Sequence, residues 1–550
     1  MLNLVDIEKF INQTENPSLP AYLEEINSGL ARLGMENSRV EWWCYNAATR
    51  NPLGTRLIYA MLAYRCCLDA IKGRHGVEPV LLANTPRYLQ TAINLYHNKT
   101  RNFLADSLVK IGLYINGISR VTILMLQALL LVWRFRSRKR IPPGSIGLFT
   151  YIDGGSRANG DAYFGNLADQ IMTNYPGKHV EHLAYLYRPY NQQLARAGID
   201  FSGNYTLLFA YLGLLDVIGT WLKCCWMTVF TTVPETDHLP GWITGYRDIL
   251  KATMQHEISS GVFEHLLVFT AFSRLAASGE YDRIVYPFEN KAIEKCLLLG
   301  VQKRRGIRSV GYQHSSITKR HFAFRLKTGE IQALPMPDRV ITVGDITYDW
   351  MQDNGFPADR LVSGCSLRHK LDFDGKVPAK SWSTVKLLFA LSSSRYELQQ
   401  TVTFLRQIRR QNPQWELGIR CHPNFPLSLL GSHDQAWLKD NVTDYSGTPL
   451  SDNLGTTDIL VYLSSTVALE ALAAGIPVIR LNLELLNADP LLKTPEYYWE
   501  CADAESFGSA VTEICDIEQA VRESAIESSR RLIMTYLKPF QEKVVSEFLN

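Results

Sequence analysis

The chain has 550 residues, 46% hydrophobic and 20% charged, with 57 Lys plus Arg against 54 Asp plus Glu for a net charge of +3. That length exceeds one ordinary core and implies two large domains, and the composition excludes a disordered chain. The near-balanced charge excludes nucleic-acid binding driven by global attraction. Ten cysteines hold no CxxC pattern, and the adjacent pairs Cys66-Cys67 and Cys224-Cys225 sit among apolar residues, unsuited to zinc. Reduced, buried thiols and a cytosolic location are expected, and residues 1–9 lack the basic and apolar regions of a signal peptide.

Residues 1–37 read as a helical lead-in. A strand over 40–45 with a helix over 55–70, and a strand over 79–83 with a helix over 87–96, suggest a Rossmann-like half. Residues 111–133 are strongly apolar but interrupted by Asn116, Arg120 and Gln127, and the basic run Trp133-Arg-Phe-Arg-Ser-Arg-Lys-Arg140 follows. A second apolar segment, 205–233, carries Asp216, Thr220 and Lys223 on one helical stripe. Three readings stay open for the pair: buried core helices, helices lying in the plane of an anionic leaflet, and a spanning pair.

Residues 145–151 form a predicted strand that runs into a loop dense in Gly and polar groups, with Asp153 at its start and Asp161 further on. A carboxylate on such a loop is either a turn residue or a general base for a hydroxyl. Strands over 282–286 and 308–312 place Glu289 and His314 at the equivalent carboxyl ends, with a helix over 291–301 between them. Three titratable residues at matching strand ends point to one crevice. Residues 334–338, with prolines at 335 and 337, read as the linker.

Beyond it the alternation restarts, with strands over 339–343, 361–364, 385–391 and 415–420. The strand over 385–391 ends in Ser392-Ser-Ser-Arg395, and that over 415–420 in Cys421-His422-Pro423-Asn424, where the proline pins the backbone of His422 away from helix. Residues 459–463, 466–474 and 476–481 read as strand, helix and strand, the helix stopping at Gly475. Ser464, Ser465 and Thr466 stand where the first strand enters that helix, so they either cap it or, with its unpaired N–H groups, cradle a phosphate. Residues 504–550 are mostly helical. There is no GxGxxG and no Walker A loop, which disfavours nicotinamide and ATP enzymes.

His422-Pro423 followed by Ser464-Ser465 resembles the HP and SS/T motifs of GT-B glycosyltransferases that use CMP-activated sugars, including bacterial sialyltransferases and Kdo transferases of surface polysaccharides. The resemblance implies an α/β, GT-B-like fold of two Rossmann-like domains facing a central cleft, with apolar helical insertions in the first. The expected division is an acceptor domain over 1–334, a donor domain over 335–520 and a terminal helix over 521–550 that crosses back. It also implies a CMP-sugar co-substrate with no metal or other cofactor, and a sugar acid (Kdo, sialic or another nonulosonic acid) moved to a lipid-linked or oligosaccharide acceptor. His422, Ser464 and Ser465 would meet the donor phosphate, and Glu470 a ribose hydroxyl. Asp153 is similar to the base in the acidic motif of the sialyltransferases, although Ile152 stands where the first acid of that motif would be. Tyr286-Pro-Phe-Glu289 with Gln313-His314 resembles Kdo-type transferases. The expected setting is the cytoplasmic face of a membrane. The alternatives are a GT-B enzyme using a UDP-sugar or CDP-glycerol, and a membrane-docked scaffold without chemistry.

Overall fold

The structure, a computed structural model, describes residues 19–37, 39–52, 55, 57–62, 65, 103–137, 139–152, 161–186, 203, 205–233, 244–304, 306–369, 384–392, 395–422, 425–483 and 488–550. Two sheets, each wholly parallel, organise it. The first contains β1 (Ser145–Ile152), β2 (Val180–Leu186), β3 (Tyr205–Leu207), β4 (Tyr281–Pro287), β5 (Arg308–Gln313), β6 (Arg339–Thr342) and β7 (Leu361–Ser363), in the order β3-β2-β1-β4-β5-β6-β7. The second contains β8 (Lys386–Ala390), β9 (Glu416–Arg420), β10 (Thr443–Asp444), β11 (Ile459–Tyr462), β12 (Val478–Leu481) and β13 (Tyr498–Cys501), in the order β10-β9-β8-β11-β12-β13. Both are doubly wound α/β sheets with the Rossmann strand order. The strands are near-continuous apolar runs because helices cover both faces: all eight residues of β1 are buried, as are all four of β11 and of β12.

In each sheet the winding reverses once, between β1 and β4 in the first and between β8 and β11 in the second. A parallel sheet opens a crevice at the carboxyl side of such a switch, because the loops there run to opposite faces. The helices that matter here are α1 (Phe103–Arg134), α2 (Leu214–Phe230), α3 (Phe263–Ser278), α4 (Ala292–Val301), α5 (Arg395–Gln411), α6 (Val467–Ala473) and α7 (Gln519–Tyr536). Helix α6 stops where Gly475 takes φ +81°, with Gly475 N–H donating to Leu472 O (3.0 Å) and Ile476 N–H to Ala471 O (2.9 Å).

The expected strand over 40–45 is instead a helix, Val40–Trp43, whose Trp42 and Trp43 are buried beside α4. Six residues rich in aromatics fit either period, and packing decides. The strand and helix expected over 79–83 and 87–96 lie outside the described residues, as do Asp153 and Pro423. The change of domain also differs from the sequence reading. Residues 334–338 do not lead into the second sheet, because β6 pairs onto β5 and β7 onto β6, and the chain enters the second sheet only at β8.

Helix α7 packs on α6, Arg530 Nε donating to Ala473 O (3.0 Å), and its end touches the first domain so closely that a Cβ on Gly344 would fall 2.4 Å from Thr535 O. Residues 537–550 then lie on the first sheet: Lys538 Nζ meets Asp345 Oδ1 at 2.6 Å, and the fully buried Phe548 ring meets Tyr312 edge-on at 5.7 Å. One apolar cluster thus runs from β1 and β5 through Tyr536 and Phe548 to β11 and α6.

Candidate active site between two sheet edges

At the first switch the turn after β4, Phe288 to Lys291, is rigidly built. Asn290 takes φ +57°, a conformation rare outside glycine, and is held there by donating to Ala323 O (2.7 Å) and accepting from Lys295 Nζ. The N–H of Glu289 donates to both carboxyl oxygens of Glu294, at 3.1 and 3.0 Å. Burial, with the Glu289 charge beside it, pushes the Glu294 carboxyl up to about 8; burial pushes the Lys295 ammonium down to about 8.

That turn presents Glu289, whose Oε1 lies 3.2 Å from His314 Nε2 and whose Oε2 pairs with Lys291 Nζ. Burial opposes the charge on Glu289, but Lys291 and His314 outweigh it and hold the carboxyl well below the usual range. His314 follows β5 and is buried, with the Tyr163 ring edge-on at 4.9 Å, and its Nδ1 has no hydrogen-bond partner among the described residues. With Nε2–H donating to Glu289, Nδ1 carries the lone pair. This is a base and orienter arrangement. Asp161 is not part of it. Its carboxylate accepts from the N–H groups of Tyr163 (2.7 Å) and Phe164 (3.0 Å) and faces His182 Nδ1 at 3.5 Å, closing a turn beneath the surface.

At the second switch, Glu397 in the first turn of α5 gathers the strand ends. It is buried, accepts from Ser392 N–H (2.9 Å) and Ser392 Oγ (2.8 Å), and takes the Ser464 hydroxyl, whose Oγ lies 2.6 Å from Ser392 Oγ. The Ser464 hydroxyl, expected at the donor phosphate, is turned to the Glu397 carboxyl group. Ser465 is buried as well, and Thr466 is the exposed hydroxyl of the three. His422 lies half-buried after β9. Burial lowers its pKa from the ordinary imidazole value, against the opposing charge of Glu397.

The two edges meet. Glu470 of α6 stands 3.7 Å from His369, a residue of the segment that leaves β7, and burial raises the Glu470 pKa while Arg368 and Arg420 oppose the rise. His369 takes a bond between its Nδ1 and Ser366 Oγ at 3.0 Å, and burial, then Arg368 and His314, push its pKa down to about 4. The segment that leaves β7 therefore brings the first sheet's edge against α6 of the second. Of the expected residues, Glu289 and His314 are brought together, Glu470 meets His369, and Ser464 is bonded to Glu397, whose charge also reaches His422. Glu397, Lys291 and His369 were not anticipated. Only Glu397 had a signal, as the last residue of Ser394-Arg-Tyr-Glu397, the spacing of a capping box. Among the described residues no group of three His, Cys, Asp or Glu is placed to hold a metal ion.

No protein-family model matches the chain, and no curated protein matches it. Solved structures do. The glycotransferase of kitacinnamycin is 14% identical, covering 75% of this chain and all of its own, with a TM-score of 0.40. The lipopolysaccharide outer core galactosyltransferase WaaB in its apo form is 11% identical over 74% of this chain and 99% of its own, TM-score 0.42. The UDP-GlcNAc 2-epimerase from Neisseria meningitidis bound to UDP-GlcNAc is 9% identical over 74% and 99%, TM-score 0.43.

Proposed function

We propose that the chain is a glycosyltransferase that moves a sugar acid from a CMP-activated donor to a glycan hydroxyl, with the donor on the second sheet and the acceptor on the first. One observation carries this reading: the two Rossmann-ordered sheets meet, Glu470 of α6 standing 3.7 Å from His369 of the segment that leaves β7. A single-sheet binding protein needs no second edge; a transfer between two substrates does. The donor class rests on the resemblance carried by His422, Ser464 and Ser465.

In this mechanism the donor phosphate lies beside the exposed Thr466 hydroxyl ahead of α6, with an N–H of His422 alongside. Glu470 takes a ribose hydroxyl. Glu289 is a poor base, because Lys291 and His314 stabilise its ionised form, so it acts as the positioning residue for His314. His314 Nδ1 accepts the proton as the acceptor oxygen bonds to the anomeric carbon, and the bond from that carbon to the phosphate oxygen breaks, releasing CMP. Asp153 is the second candidate base, by its place directly after β1.

The test is nucleotide release by the full chain from CMP-Kdo and CMP-sialic donors, and from UDP-sugars and CDP-glycerol, in the presence of an oligosaccharide acceptor. CMP release from a sugar-acid donor, lowered about 10²–10⁴-fold in His314→Asn, is the expected result. Turnover of UDP-sugars or CDP-glycerol alone replaces the donor. Release of no nucleotide by the folded chain overturns the reading in favour of a scaffold.

A further inference from the structure

Helices α1 and α2 lie antiparallel, joined by Trp221 Nε1–H donating to Thr122 Oγ1 (3.0 Å), and packed so closely that a Cβ on Gly117 would come 3.1 Å from Thr228 Cγ2. Their outer surface carries a large apolar patch, beside which Asn116, Ser119 and Arg120 of α1 are also exposed. On α2, Leu215, Leu222, Trp226 and Phe230 are 83%, 55%, 61% and 57% exposed, and Ile123, Leu126, Leu130 and Trp133 continue the surface on α1. By register, Leu130 lies near Leu215, Ile123 near Leu222 and Ile115 near Phe230. The exposed stripe from 115 to 133 is about 27 Å long at 1.5 Å per residue.

The polar residues of α2 point the other way. Thr220 and Thr228 are buried, and Asp216 turns to Arg274 of α3, its Oδ1 accepting at 2.8 Å. Lys223 pairs with Glu41 at the rim. A helix facing water puts its polar stripe outward; here the arrangement is inverted. The charges around the patch are one-sided. Between residues 107 and 152 the sequence holds seven basic residues and no acidic one, and Arg134, Arg136 and Arg140 are exposed directly after α1. An anionic bilayer complements this basic segment.

We infer that α1 and α2 form a monotopic docking surface that lies in the headgroup region of an anionic bilayer, Leu215, Leu222, Trp226 and Leu130 entering the acyl boundary and Arg134, Arg136 and Arg140 meeting lipid phosphates. Helix α1 is long and apolar enough to span a membrane, but its inner face is part of the first domain's core through Val121, Leu124, Ala128 and Leu131. A spanning helix would have to leave that core. The inference holds or fails independently of any transfer activity.

The experiment is flotation of the full chain with vesicles of phosphatidylcholine alone and of phosphatidylcholine mixed with phosphatidylglycerol, read together with the depth-dependent quenching of tryptophan by brominated lipids. The chain floats with the anionic vesicles, and its tryptophans are quenched best by bromines high on the acyl chain. Leu215→Glu with Trp226→Glu lowers binding by about tenfold or more, a change of about 1.4 kcal/mol or more. Arg136→Glu with Arg140→Glu lowers it by at least about fivefold per charge on anionic vesicles and leaves binding to neutral ones unchanged. Both variants keep the wild-type melting temperature, since the substituted side chains face outward. Absence from both kinds of vesicle overturns the inference. So does undiminished binding by the Leu215→Glu and Trp226→Glu variant, retention in the membrane after alkaline carbonate washing, or a stable dimer in solution that the same variant dissociates.

Discussion

Glu397 ties the ends of β8 and β11 together, and the chemistry of the second domain depends on it. A buried carboxylate that accepts from Ser392 and Ser464 leaves at least two donors unsatisfied when it is removed, each costing about 1–3 kcal/mol. Glu397→Ala therefore lowers stability by several kcal/mol in urea melts, and Glu397→Gln by less, since the amide oxygen still accepts. In the first domain, Glu289→Gln separates positioning from proton transfer. It lowers kcat with little change in KM, because the His314 ring loses the carboxylate that orients it. An unchanged kcat would assign Glu289 a purely structural role. These residues differ in how visible they are from sequence. Glu289 and His314 stand at the ends of apolar runs that period and length mark as strands. Lys291 acts on Glu289 across a turn whose shape the sequence does not announce, and His369 meets Glu470, remote in the chain.

The turn after β4 combines a local strain with remote support. Asn290→Gly relieves the positive φ but loses the bonds to Ala323 and Lys295; Asn290→Ala loses the bonds and keeps the strain. The alanine variant is expected to be less stable than the glycine variant by about 1 kcal/mol, measured by equilibrium denaturation. Equal losses would mean that the turn relaxes its backbone. Legibility at this scale follows burial and length. The β11–α6–β12 unit is plain in the sequence because two short apolar runs flank an Ala-rich stretch that ends in Gly475. Strand β2, Val-Glu-His-Leu-Ala-Tyr-Leu, is hidden because Glu181 and His182 break its apolar run. Glu181 is nevertheless fully buried, bonded by Thr206 at 2.5 Å and paired with Lys139 at 2.8 Å, so partners on β3 and after α1 make a polar central strand possible.

Across the whole molecule, the two sheets are bound by the returning C-terminal segment, whose anchor is Phe548 against Tyr312. Phe548→Ala is expected to cost about 3–5 kcal/mol of stability in denaturant, as for other fully buried rings; a loss under 1 kcal/mol would show the segment to be dispensable. The cleft also makes stability depend on pH. His321 and His369 are both pushed by burial from an ordinary 6.5 down to about 4. Between those values the unfolded chain binds protons that the folded one refuses, so stability falls as pH is lowered from about 6.5 towards 4. His369→Asn is expected to flatten that slope in thermal melts across the window. The boundary between domains was misread from sequence because the prolines at 335 and 337 resemble a linker, whereas β6 and β7 add to the far edge of the first sheet, a pairing that only the three-dimensional order reveals. The central claim is that a cytidine nucleotide settles at the second sheet's switch point beside His422. Calorimetric titration of the full chain with CMP, UDP and GDP tests it most directly. The account predicts saturable binding of CMP, weaker or absent binding of UDP and GDP, and loss of CMP binding in His422→Ala with the melting temperature unchanged. Absence of CMP binding, or CMP binding undiminished in that variant, would contradict it.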